Sequence, residues 1–119
     1  MSDGWIGVDL DGTLAYYNGW KGITEIGAPI WPMVERVKQW LREGREVKIF
    51  TARVSVKGRD LEPTLWAIRR WSLEHIGEYL DITCTKDLSM IELWDDRVVQ
   101  VQFNTGEPAT NWISRFSAC

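Results

Sequence analysis

Asp9 and Asp11 stand one residue apart in the run Asp9-Leu10-Asp11-Gly12-Thr13, directly after the apolar stretch Trp5-Ile6-Gly7-Val8. Side chains at i and i+2 of an extended strand point the same way. Both carboxylates can therefore face one small volume at the end of a strand, and Gly12 lets the following turn aim them. Like charges held that close repel and raise one pKa unless a cation joins them. The pair calls for a divalent metal, a division of labour between nucleophile and acid, or both.

More chemistry gathers when the other apolar runs are read as parallel strands, because open parallel sheets bind ligands at the carboxyl ends of their strands. Val47-Lys48-Ile49-Phe50 runs into Thr51, and the stretch Asp81 to Thr85 runs into Lys86. Ile91-Glu92-Leu93-Trp94 runs into Asp95-Asp96-Arg97. Carboxylates drawn from Asp9, Asp11, Asp95 and Asp96, with backbone oxygen and waters, make the oxygen-rich octahedral site that magnesium prefers. Asp95 is the favoured direct ligand of the last pair, with Asp96 a ligand or its support. Lys86 and the Thr51 hydroxyl would hold phosphate oxygens whose charge changes in the transition state. Aspartate is itself a nucleophile toward phosphoryl groups.

The elements that must position these groups follow from hydrophobic period. Strand and helix patterns alternate, which predicts an α/β fold: a mainly parallel sheet between helical layers. The first strand is Trp5 to Asp9. A glycine-rich aromatic segment, 14–30, follows. The first helix starts at Pro32 and ends before Gly44, with apolar residues at Met33/Val34, Val37 and Trp40/Leu41. The second spans about Leu61 to Ile76 and stops at Gly77. The alternation of Val99, Val101 and Phe103 predicts an edge strand, and the tail predicts a short helix around Trp112 to Phe116. Only Lys86 to Met90 separate the third and fourth strands, too few for the helical crossover that parallel neighbours need.

The motifs resemble those of the haloacid dehalogenase superfamily. Asp9-Leu10-Asp11-Gly12-Thr13 matches the first motif, Phe50-Thr51-Ala52-Arg53 the second, Lys86 the third and Trp94-Asp95-Asp96-Arg97 the fourth, in family order over roughly residues 5–101. The resemblance implies a Rossmann-like fold and magnesium-dependent phosphoryl transfer through an aspartyl-phosphate. Asp9 would be the nucleophile, Asp11 the general acid/base, and the Asp11 carbonyl a metal ligand. Family members usually insert a cap domain. Here the spacings leave room only for a flap and single helices, so residues 1–119 read as one capless catalytic domain. An open rim suits a large substrate or a covering partner subunit.

Each residue also has a blander role. Asp-Gly alone is a turn signal, Thr commonly ends strands, and most lysines are solvated. Arg53 and Arg97 either bind substrate anions or brace the site. Trp20, and less directly Trp31, flank the segment after the first motif and are expected to touch substrate, with Gly12 beside them. His75, the sole histidine, reads as structural, and Arg69 and Arg70 as a solvated helix face.

Composition narrows the classes. A chain of 119 residues with 45% apolar and 26% charged residues suits one globular domain. A net charge of −3 supplies no basic footprint for nucleic acid, though nucleic-acid ends stay open as substrates alongside nucleotides and sugar phosphates. Two cysteines make no disulfide framework, and Cys84 reads as a buried thiol. The expectation is a cytoplasmic magnesium-dependent phosphatase with no membrane partner, compatible with an oligomer. The alternatives are a receiver-like phosphoacceptor domain and a non-catalytic phosphate- or metal-binding protein.

Overall fold

The computed structural model describes residues 4–109. Strands β1 (Trp5–Val8), β2 (Glu46–Phe50), β3 (Asp81–Thr83) and β4 (Met90–Trp94) form one sheet in the order β3-β2-β1-β4. Every pairing is parallel. Helices α1 (Trp31–Arg42) and α2 (Leu61–His75) occupy the first two crossovers. The α/β architecture read from the sequence is the one that forms. No helix among the described residues is long and apolar enough to cross a membrane.

The chain steps from β1 to β2 to β3 in one direction. Right-handed crossovers then put both helices on the same face of the sheet. Ile6, Val8, Val47 and Ile49 line that face and share one buried cluster with Val34 and Val37 of α1 and Ile68 and Trp71 of α2. Each such side chain contributes roughly 1.5–3 kcal/mol through burial. Helix α1 stops at Gly44, whose φ of +80° suits glycine alone. The Gly44 and Arg45 amides there close back on the Leu41 and Trp40 carbonyls, both at 3.0 Å.

The opposite face explains the short link between the third and fourth strands. Those strands are not neighbours; they are the two edges of the sheet. Segment 84–89 crosses the face diagonally. Three strand spacings are about 14 Å, within its extended reach of about 20 Å. Trp5 anchors the crossing: its amide donates to the Ser89 carbonyl at 2.8 Å and its indole Nε1 to Asp87 Oδ1 at 2.9 Å. That indole hydrogen bond lowers the Asp87 pKa. Lys48 Nζ sits 4.6 Å above the same ring. Gly7 packs closely beneath: a Cβ there would lie 3.1 Å from Trp5 and 3.2 Å from Leu93 and would press on both side chains. Among the described residues, the layer expected as helix on this face is this crossing.

Two local expectations are corrected. Cys84 is exposed, because β3 ends at Thr83 and Cys84 begins the crossing. Val99, Val101 and Phe103 are exposed and join no sheet. Turn residues Asn104 and Gly106, with φ of 62° and 78°, fold this stretch on itself through a Val101–Pro108 bridge. The helix expected around Trp112 to Phe116 lies outside the described residues.

Candidate functional site

The topology makes the site. The order of strand placement reverses at β1, with β2 on one side and β4 on the other, so the loops after β1 and β4 diverge and leave a crevice. Val8 pairs with Trp94, and the Asp9 amide donates to the Trp94 carbonyl at 2.8 Å. This register sets Asp95 and Asp96 beside Asp9. Carboxylate oxygens of the three lie within 4.8 Å of one another. Thr13 ties the group together. Its hydroxyl lies 3.4 Å from Asp9 Oδ2 and 3.3 Å from Asp96 Oδ1, and accepts the Asp96 amide at 3.2 Å. Gly12 permits the approach: its φ is +90°, and a Cβ would meet the Asp96 carboxylate at 2.8 Å. Asp95 Oδ1 accepts the Arg97 amide at 2.8 Å, which fixes the turn.

Burial, then the charge of Asp95, then hydrogen bonding and charge from Asp96, raise the Asp9 pKa from 3.8 to about 7. Such a cluster is relieved by a proton or a cation. The donor set fits a hard divalent ion, since oxygens about 2.1 Å from magnesium lie roughly 3–4 Å apart and small rotations would bring these three into range.

Asp11 has a different partner from the one expected. Its carboxylate turns away from the cluster and pairs bidentately with Arg53, Nε to Oδ2 at 2.7 Å and Nη2 to Oδ1 at 2.8 Å. Arg53 Nη2 also donates to the Glu25 carbonyl at 2.8 Å, and Nη1 reaches those of Ile23 and Gly22 at 3.4 and 3.5 Å. The guanidinium carbon lies 4.8 Å from the centre of the Trp20 ring. Arg53 is therefore buried and fully engaged. It braces Asp11 and the flap, and of its two expected roles this is the one formed.

A cleft of about 440 Å³ joins the carboxylates to this flap. Asp9, Asp11, Asp95, Asp96, Thr51, Arg53 and Trp20 all line it. Thr51 is buried, and its Oγ accepts the Arg53 amide at 3.1 Å, leaving the hydroxyl proton to donate. Lys86 is exposed on the crossing segment and is not among the lining residues. Trp31 is also absent from them, lying instead against His75 and below Lys38. Arg97 lines the cleft. Tyr17, Ile23, Phe50 and Val56 supply its apolar wall. Tyr17 and Ile23 lie in the 14–30 segment expected as a flap; Phe50 and Thr13 stood in the motifs without a role of their own, and Val56 had none. Thr13 was legible within the first motif; Val56 carries no signal beyond being apolar.

No family model matches this chain, and no curated protein matches it. Among solved structures, a conserved protein coded by a locus from Bacteroides thetaiotaomicron aligns with a TM-score of 0.52 and 20% identity. The alignment covers 98% of this chain and 88% of that one. At that identity the likeness is one of fold.

Proposed function

We propose that this chain is a magnesium-dependent phosphomonoesterase working through an aspartyl-phosphate on Asp9, as in the superfamily its motifs resemble. The observation that carries the reading is the convergence of Asp9, Asp95 and Asp96 at the β1–β4 crevice, with Thr51 in the same cleft. Magnesium held by these carboxylates would offset the repulsion between Asp9 and an anionic phosphate. An Asp9 carboxylate oxygen attacks phosphorus, and the ester O–P bond breaks as the new one forms. The departing oxygen takes its proton from the Asp11 carboxyl, which has to leave Arg53 to do so. Water then attacks phosphorus and gives a proton to Asp11, and the acyl-phosphate bond breaks to release inorganic phosphate and restore Asp9. The Thr51 hydroxyl and the Arg97 guanidinium hold the non-bridging oxygens.

A second reading, a phosphate- or metal-binding protein without turnover, is favoured by one observation: Asp11 is held by Arg53 rather than free to donate a proton. Phosphate release from a panel of phosphomonoesters separates the two. Turnover with magnesium, its loss in chelator and its loss in Asp9→Asn support the hydrolase. Magnesium binding with no release from any monoester would leave the binding protein.

A further inference from the structure

We infer that the cleft selects small phosphomonoesters carrying a flat aromatic ring, of nucleoside monophosphate size, and that Trp20 backed by Arg53 is the stacking platform. The inference rests on the hydrolase reading for its chemistry, but its geometry is independent of turnover. Trp20 belongs to a glycine-flanked flap, where an exposed indole would ordinarily wander. Here its ring lies over a guanidinium that is buried and held by Asp11 and by three flap carbonyls. Trp20 nonetheless remains 57% exposed while lining the cleft. A large aromatic surface that is both fixed and open is pre-organised for a planar partner, because the cost of ordering it is already met.

The rest of the cleft agrees. The lining combines polar groups, Asp9, Asp95, Asp96 and Thr51, with the apolar Tyr17, Phe50 and Val56. A ligand with one phosphate and one apolar ring matches both kinds of group. A polyol phosphate has no ring to set on the indole and gains nothing from it. The volume of about 440 Å³ falls in the range for small ligands. The net charge of −3 supplies no basic track for a longer polyanion.

The test compares thymidine 5′-monophosphate with glycerol 3-phosphate in the wild type, Trp20→Ala and Trp20→Phe. Stacking on an aromatic side chain accounts for about a 5- to 150-fold effect. Trp20→Ala should reduce the ratio of kcat/KM for the nucleotide over glycerol phosphate by that factor, mainly through KM, and Trp20→Phe should restore part of it. Calorimetric binding of the nucleotide to Asp9→Asn, with and without Trp20→Ala, reads the platform without chemistry. A ratio unmoved by Trp20→Ala, with turnover intact, overturns the platform and leaves the hydrolase standing. Trp20-dependent binding without turnover of either ester does the reverse. Absence of both binding and turnover removes both.

Discussion

Asp9 carries the largest electrostatic strain at the scale of single residues. Its pKa is raised from 3.8 to about 7, first by burial and then by Asp95 and Asp96. The sign of the stability effect follows from proton counting. Between about pH 4 and pH 7 the folded chain holds a proton on Asp9 that the unfolded chain has lost, so raising pH through that window favours unfolding. The stabilisation is complete below pH 4 and gone above about pH 7. The melting temperature in chelator should therefore carry a downward contribution across that window, and Asp9→Asn should remove it. Magnesium should remove it too, because the ion replaces the proton. An identical pH slope in Asp9→Asn would assign the effect to other groups. Asp9, Asp11, Thr51, Asp95 and Asp96 were legible in the sequence because each sits at the end of an apolar run. The direction in which each side chain turns was not. Asp11 looks equivalent to Asp9 in a strand pattern, but β1 ends at Val8 and the chain turns at Leu10, which points Asp11 toward Arg53.

At the scale of elements, Arg53 makes the flap a structured part of the domain. The strand β2 ends at Phe50, Thr51 starts a 3-10 turn, and that turn delivers Arg53 to the carbonyls of 22–25. Removing one partner of a largely buried ion pair typically costs about 3–5 kcal/mol, since the other charge is stranded. Arg53→Ala should approach the lower end, because Asp11 is 21% exposed and water can solvate it. Backbone amides of 20–25 should also lose hydrogen-exchange protection relative to β1. Equal protection in the variant would mean that the flap holds itself. The helices and strands β1 to β4 were legible from period, capping glycines and Pro32, with β3 ending at Thr83 rather than Thr85. The role of Arg53 was left between binding and bracing, since its partners are the Asp11 carboxylate and backbone carbonyls distant in sequence, which no local pattern sets beside it. The Val99 to Phe103 alternation misled for a related reason. A period of two marks extended chain, but it does not say which chain pairs with it.

The whole molecule sets which cation could reach a phosphate in the cleft under the proposed hydrolase reading. A helix between β3 and β4 would cover the Trp5 face and could carry a lysine to the rim. Here segment 84–89, with a bend at Cys84 and a turn at Leu88–Ser89, crosses that face instead. The spacing problem was visible in the sequence, but its resolution required strand order: β3 and β4 are opposite edges, a relation no local pattern encodes. As a result Lys86 is exposed and outside the cleft lining, whereas Arg97 follows the paired aspartates directly into it. Arg53, the other guanidinium in the lining, is occupied by Asp11. On the proposed hydrolase reading, Arg97 is the lining cation left to balance charge on a transferring phosphoryl, though like Lys86 it is exposed. Loss of one charge-stabilising donor typically costs about 10²–10³ in kcat. Arg97→Ala should fall in that range, and Lys86→Ala should lose less than about tenfold, in line with a solvated charge acting at a distance. Steady-state phosphate release on both variants decides it. If Lys86→Ala proves the more damaging, the crossing segment must lift from Trp5 to bring its ammonium over the rim. Trp5→Phe, which removes the indole hydrogen bond to Asp87, would then alter turnover as well.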